Sequence, residues 1–260
     1  MIYITGDTHG DYRRFRTDLF PEQKNMTADD YVIICGDFGL WHDTPEERHW
    51  LDWLNDRPFT TLFVDGNHSN FDRISAMPVS KWNGGQVHFI RDKIIHLMRG
   101  QVFELVGKRV FTMGGASSHD IDAGILEPDD PDFKMKRKIL DKRLALYRIN
   151  HISWWKQELP DNEEYETARR NLEACGWKVD WIVSHCCPSS VADIIGGGFY
   201  RHDALTDFFD EIKERCEFDY WFFGHYHDER TVMRKFMLRY ERVAEAPTKD
   251  DEEAWKAPLY

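Results

Sequence analysis

Asp7 and His9 stand two residues apart, directly after the β-prone run Ile2-Tyr3-Ile4-Thr5 and its closing Gly6. In extended backbone, residues i and i+2 point the same way. A carboxylate beside an imidazole is a hard/borderline ligand pair suited to a divalent metal. One Asp-x-His tripeptide carries little weight, because such tripeptides arise by chance. Four later stretches repeat the design: Gly36-Asp37, Gly66-Asn67-His68, Ser184-His185 and Gly224-His225-Tyr226-His227. Each follows an apolar, β-prone run. Taken singly, each histidine reads as an ordinary core or surface residue. Taken in order, and always after a strand, they point to one site.

Setting His68 aside, the set holds two carboxylates (Asp7, Asp37), an amide (Asn67) and four imidazoles (His9, His185, His225, His227). That is too many ligands for one metal and suits two. Two ions about 3.5–4 Å apart need a shared carboxylate, and they clamp both the attacking and the leaving oxygen of a phosphoryl group. A water bridging both ions loses a proton easily and becomes the nucleophile. Mixed O/N ligation tolerates Mn²⁺, Fe and Zn²⁺, with Mn²⁺ the first expectation.

The elements that must carry these residues follow from the pattern around them. Residues 1–9 read as a strand ending in its motif, and Asp11 to Phe20 as a helix. Tyr31 to Cys35 is nearly all apolar, as in a strand buried on both faces of a parallel sheet. Pro45 to Asn55 reads as a helix, with Pro in the first turn, acids early and apolar Trp50, Leu51 and Leu54. Thr60 to Val64 is a third strand. Asp7 to Asp37 is 30 residues, and Asp37 to Asn67 is 30 again. That is the length of a strand-helix-strand unit. The ligand-type residues thus fall at the C-terminal ends of successive parallel strands, where open α/β sheets build their sites.

From Gln86 to Met113 short strands with brief connections suggest an antiparallel meander and a second sheet. The Pro- and Asp-rich stretch after Ser117 reads as a loop, followed by a helix from about Lys136 to Arg148. Glu163 to Cys175 is a helix capped at Gly176. Val179 to Val183 is a strand ending at His185. Gly196-Gly197-Gly198 reads as a flexible loop. Ala204 to Cys216 is a helix whose Leu205, Phe208, Phe209 and Ile212 stripe is best explained by core packing. Tyr220 to Phe223 is a strand, and Met233 to Tyr240 closes the sheet. The organisation expected is one domain over 1–245, with 117–150 an inserted loop and helix that could act as a lid, and a charged, solvated tail over 246–260.

The chain has 260 residues, 42% of them hydrophobic and 14% aromatic, enough to bury a core. Its net charge of −12 argues against gripping long nucleic acid, which needs clustered Lys and Arg. A nucleotide-sized substrate stays open, because bound metals reverse the local sign. The five cysteines include no CxxC pair, so reduced thiols in a cytoplasmic protein are expected. Cys186 and Cys187 follow His185, which leaves metal capture by a thiolate as a minor reading. No apolar run approaches the roughly 18 residues of a membrane span. With the first candidate ligand already at Asp7, no leader peptide is expected.

In its motifs the chain resembles the calcineurin-like metallophosphoesterase superfamily, whose pattern D-x-H, GD, GNH, H, GHxH is met here in order by GDTHG, GDFG, GNH, SH and GHYH. The stretch GNHSNFD, with Gly114-Gly115-Ala116-Ser117-Ser118 and Trp154-Trp155, looks like a bacterial and bacteriophage-type group within it. The resemblance implies a four-layer α/β/β/α sandwich of two mixed sheets flanked by helices. It implies that Asp7, His9 and His227 hold one metal, that Asn67, His185 and His225 hold the other, and that Asp37 bridges. His68 would be no ligand, but would stabilise or protonate the leaving-group oxygen. Many members follow GNH with an acid, where Ser69 stands here. The protein Ser/Thr phosphatase branch continues GD towards an Asp-Arg pair, where GDFGLW stands here, so membership of that branch is not expected.

The function expected is metal-dependent cleavage of a phosphate mono- or diester by a metal-bridging hydroxide, on a phosphorylated small molecule or nucleotide. A nuclease or DNA-processing role, and a non-catalytic protein-binding scaffold, are the alternatives. Phe38, Trp41, Phe71, Trp82, Trp154 and Trp155 could stack on a base, although core packing explains each of them better. His119 and the run Lys134 to Lys138 could reach a phosphate, although a solvated helix start explains the run better.

Overall fold

The computed structural model describes residues 1–247. Two mixed sheets pack face to face. The first runs in the order β15 (Ala244–Glu245), β1 (Ile2–Thr5), β2 (Tyr31–Ile34), β3 (Thr60–Phe63), β6 (Ile94–Leu97), β5 (Gly85–Arg91) and β4 (Val79–Trp82). The second runs β13 (Arg230–Val232), β14 (Phe236–Leu238), β12 (Tyr220–Phe223), β11 (Trp181–Ser184), β8 (Lys108–Met113) and β7 (Gln101–Leu105). In each sheet the central strands are parallel and the edges antiparallel.

Period-two alternation assigns each strand residue to a layer. Ile2, Ile4, Ile33, Leu62, Trp181, Val183, Tyr220 and Phe222 meet between the sheets. The residues between them point outward. Tyr3, Val32, Ile34 and Phe63 pack under α1 (Pro45–Asn55). Ile182, Trp221 and Phe223 pack under α4 (Asn162–Ala174), α5 (Ser189–Gly196) and α6 (Ala204–Arg215). Three apolar layers between four layers of structure make the expected α/β/β/α sandwich.

The helix starts follow local chemistry. Thr44 accepts the Glu47 amide ahead of α1, and Pro45 fills its first turn. Asp161 and Glu164 form a capping box at α4. Asp203 caps α6, whose Leu205, Phe208, Phe209 and Ile212 are buried as the stripe requires.

Four expectations need correction. Asp11 to Phe20 holds only a 3₁₀ turn at Arg13–Phe15, because its aromatics Tyr12, Phe15 and Phe20 anchor irregular chain to the core. The meander is divided: β4, β5 and β6 finish the first sheet, and β7 and β8 begin the second. The triple glycine is not simply a loop, since Gly196 ends α5 and Gly197, at φ 60°, supplies its left-handed cap. In the 117–150 segment, α3 (Phe133–Lys142) starts and ends earlier than expected. Leu144, at φ 51°, breaks it. The chain then forms β10 (Arg148–Ile149), parallel to β9 (Ile125–Leu126). Between Asn67 and β4 lies one further short helix, α2 (Phe71–Ser75). Most of the expected tail, from residue 248 on, lies outside the described residues.

Candidate metal centre

Every motif lies just past the C-terminal end of a central parallel strand: β1, β2 and β3 in one sheet, β11 and β12 in the other. The two sheet edges converge there, and the glycines let them touch. A Cβ on Gly36 would stand 2.1 Å from His185 Nδ1, and one on Gly224 2.1 Å from Asp7 Oδ1. The ligand-type residues leave their strands sharply. His9, Asp37, His225 and His227 have φ values of 46°, 43°, 70° and 47°. Non-glycine residues adopt this region at a cost, and such strain gathers at functional sites.

The structure brings Asp7, His9, Asp37, His185 and His227 together in two groups that share Asp7, where Asp37 is the expected bridge; His225 joins neither. The donor atoms of Asp7, His9 and His227 lie within 4.8 Å of one another, as do those of Asp7, Asp37 and His185. Asp37 Oδ2 stands 3.3 Å from His185 Nε2 and 3.9 Å from His9 Nε2, so it faces both groups. Asn67 Oδ1 lies 3.2 Å from His185 Nε2. His225 presents Nε2 to His119 Nε2 at 2.7 Å, and its own amide donates to Asp7 Oδ1. His68 donates its amide to Asp37 Oδ1 at 2.9 Å and accepts the Trp41 indole N–H at its carbonyl. It is thereby fixed beside the ligand-type residues without joining either group.

Three features fit this set to cations. Asp7 Oδ2 is buried without a hydrogen bond, yet lies 3.0 Å from His227 Nε2. A buried carboxylate oxygen left so is costly unless a cation answers it. His9 and His227 face one another Nε2 to Nε2 at 3.2 Å, a pairing that either a proton or a cation can bridge. His185 is the clearest case. Its Nδ1 donates to the Cys35 carbonyl at 2.8 Å. Its Nε2 then faces the oxygens of Asp37 and Asn67, both acceptors. With no cation present, Nε2 must carry a second proton; with one present, its lone pair becomes a ligand.

The electrostatics agree. Burial opposes a charged His185, but Asp37 and Asp7 outweigh it and raise its pKa to about 9. Burial likewise opposes the Asp37 carboxylate, and His185 reverses this, holding it well below the usual range. Burial and the neighbouring His185 push His225 well down. Burial also lowers His68, and the nearby Arg148 adds to that against the pull of Asp37. The Asp7 carboxylate, 3.0 Å away, raises His227.

Ser69, which stands where many family members carry an acid, is buried and accepts the Gly66 amide at 3.0 Å, which closes the turn that presents Asn67. Of the aromatic candidates, Trp41 borders the site, on a cavity of about 240 Å³ shared with His9, Tyr12 and Trp50. Phe38 is core, stacked on Phe63. Trp155 is also core, its indole bound to Asp72. Cys186 and Cys187 join neither metal-binding group, and burial raises both thiols. A larger cavity of about 730 Å³ near Arg13, Arg16 and Arg242 holds none of the motif residues. Sequence reasoning missed Arg148, whose guanidinium lies 3.3–3.4 Å from the His68 ring nitrogens. No local pattern marks it.

Two sheets whose parallel strand ends jointly surround carboxylates and imidazoles define a candidate divalent-metal site. The family model for calcineurin-like phosphoesterases matches residues 1–229, and the chain belongs to that family. No curated protein matches the chain. Among solved structures it is similar to the protein of unknown function AQ665 from Aquifex aeolicus, at 21% identity and a TM-score of 0.26, over 60% of this chain and 81% of that one. Among the described residues, no helix is long and apolar enough to cross a membrane.

Proposed function

We propose that this chain hydrolyses phosphate esters with a pair of divalent cations, Mn²⁺ first, held by Asp7, His9 and His227 and by Asn67, His185 and His225, with Asp37 shared. When bound, such a pair supplies a more acidic water and positive charge at the phosphoryl oxygens. The chain's own residues do the rest. Asp37 faces both groups through one oxygen and, through the other, holds the His68 amide. His68 meets the leaving-group oxygen, to which it gives a proton or a hydrogen bond. Trp41 and the cavity beside His9 receive part of the leaving group, in keeping with a phosphorylated small molecule or nucleotide as substrate. The observation that carries this reading is His185, whose Nε2 is surrounded by acceptors and needs a cation or a proton.

We take residues 1–245 as the catalytic unit, with 117–150 an insertion at its mouth, and place the protein in the cytoplasm, where its five free thiols stay reduced. The test is hydrolysis of p-nitrophenyl phosphate and bis-p-nitrophenyl phosphate by metal-stripped protein before and after Mn²⁺ is restored, with bound metal counted. Turnover that needs Mn²⁺ supports the reading. Folded, metal-loaded protein that cleaves neither ester would favour the scaffold role. A nuclease is favoured by one observation: α3, none of whose residues is buried, carries Lys134, Lys136, Arg137, Lys138 and Lys142. Salt-sensitive cleavage of oligonucleotides would bring that role forward.

A further inference from the structure

Arg148 sits on β10, inside the 117–150 segment and outside every family motif, yet its guanidinium reaches the site. Nη1 lies 3.4 Å from His68 Nδ1, and Nη2 lies 3.3 Å from His68 Nε2. The two nitrogens of an imidazole point in divergent directions, so one guanidinium cannot donate to both in the ring plane. A neutral imidazole has one acceptor nitrogen, so at most one of these two contacts is a hydrogen bond, and the other N–H faces His68 without an acceptor.

The donors of Arg148 can be counted. Nε donates to Asp120 Oδ1 at 2.8 Å, and Nη2 lies 2.8 Å from Asp120 Oδ2. Nη1 donates to the Ser153 carbonyl at 3.0 Å. A guanidinium has five N–H donors, so the one left on each terminal nitrogen belongs to the pair that faces His68. The anchors are themselves fixed. Ser118, two residues before Asp120, gives its amide and hydroxyl to the buried Glu158 at 3.1 and 2.6 Å. The β9–β10 pairing returns the chain to place Arg148. Its side chain is 13% exposed, so it is a held cation rather than a waving surface arginine.

We propose that Arg148 is a substrate-binding residue whose two His68-facing N–H groups turn to the oxygens of a terminal phosphoryl group beside His68, and that it selects phosphate monoesters over diesters. The inference rests on the hydrolase reading above and deepens it. A monoester carries about 1.5–2 negative charges near neutral pH, and a diester carries one. A fixed guanidinium fork rewards the more highly charged group and matches two of its oxygens. The 117–150 segment is thus the part of the chain that supplies phosphate recognition, with Asp120 as the positioning residue for Arg148.

The test uses the full chain loaded with Mn²⁺. Calorimetry measures the Kd of inorganic phosphate, and steady-state kinetics measure KM for p-nitrophenyl phosphate and its bis ester, in wild type, Arg148→Ala, Arg148→Lys and Asp120→Asn. Loss of charge-assisted hydrogen bonds should weaken phosphate binding by about 10- to 100-fold in Arg148→Ala. Arg148→Lys, which keeps the charge without the fork, should fall between. KM for the monoester should rise in parallel, and KM for the bis ester should move less, with the metal count unchanged. If Arg148→Ala does not fold, Arg148→Lys and Asp120→Asn carry the same comparison. Wild-type phosphate affinity in these variants would overturn the inference while leaving Mn²⁺-dependent turnover, and so the hydrolase reading, intact. If wild type cleaves neither ester, the hydrolase reading falls instead. A phosphate Kd that depends on Arg148 would then still uphold the binding site, and one that does not would remove it.

Discussion

His185 Nε2 lies 3.3 Å from Asp37 Oδ2, although β11 and β2 belong to different sheets. The contact ties the two sheet edges together through one proton or one cation. In metal-free protein it is the proton. The pKa of His185 is raised from 6.5 to about 9. Its stabilising effect is therefore complete below pH 6.5 and lost as pH climbs through about 9. Asp37, held below its ordinary 3.8, stabilises above that value and gives way only in stronger acid. Metal-stripped protein should thus show its highest Tm between those ordinary values, and a falling Tm from neutral pH towards 9. Mn²⁺ must displace the proton, so its affinity should climb over the same range. Titration calorimetry at pH 7.5 in buffers of different ionisation heat reads the released protons. Binding without proton release would refute the assignment of His185 as a ligand.

The closeness of the sheets makes Gly36 a sharp probe. A methyl there would overlap the His185 ring at 2.1 Å, on backbone at φ 97°. The ring is enclosed, so the sheets must part. Gly36→Ala should cost about 1–3 kcal/mol from overpacking, and more from the left-handed backbone. It should also lower the metal count. Gly107 shares a positive φ of 74° but has open space around it. Gly107→Ala therefore gives the strain-only control, and equal metal loss in both would contradict the crowding argument.

His68 and Asp37 separate chemistry from metal retention. His68→Ala should lower kcat by roughly 10²–10⁴-fold, the range of general acid–base groups, and leave bound metal unchanged. Asp37→Ala should cost more than the ~100-fold typical of outer-sphere partners, with loss of metal. Metal analysis beside kinetics checks both. His68→Ala protein that loses its metal would move His68 into the ligand set. An Asp37→Ala variant that keeps full biological function would favour the scaffold role.

The strand-end motifs were legible because their signals are local. An apolar run, a glycine and a ligand-type side chain all lie within a few residues, and buried parallel strands have an unmistakable composition. Helix α1 matched Pro45 to Asn55 to the residue because its cap, proline and acids are consecutive. Other features depend on contacts far along the chain. Arg148 meets His68 across 80 residues of sequence, and only the β9–β10 pairing brings it there. The division of the 85–113 strands between two sheets is set by β3 and β11, which pair with β6 and β8. Nothing within the strands themselves reports it. Helix α5 was hidden by the glycines at its end.

Asp65, directly before the Gly66-Asn67-His68 turn, is the hub of a buried polar chain. Its carboxylate accepts from Arg99 and faces His96 Nε2 at 3.1 Å, and His96 faces His88 at 3.0 Å. Asp65 and Arg99 are both almost fully buried. Burial disfavours the carboxylate, and Arg99 outweighs it, so Asp65 stays ionised. Removing that charge leaves Arg99, among the described residues, with the half-exposed Glu164 as its one carboxylate partner and the Gln157 carbonyl beside it. Breaking one side of a buried pair costs about 3–5 kcal/mol, and Asp65→Asn should lower Tm by on the order of 10 °C. Replacing both members with neutral residues, Asp65→Asn with Arg99→Met, should recover part of the loss, because no buried charge is then left alone. Thermal unfolding of these two variants and of Arg99→Met alone decides it. A single variant with wild-type Tm, or a double variant less stable than the sum of the singles, would show that the ion pair is not what holds this edge of the site.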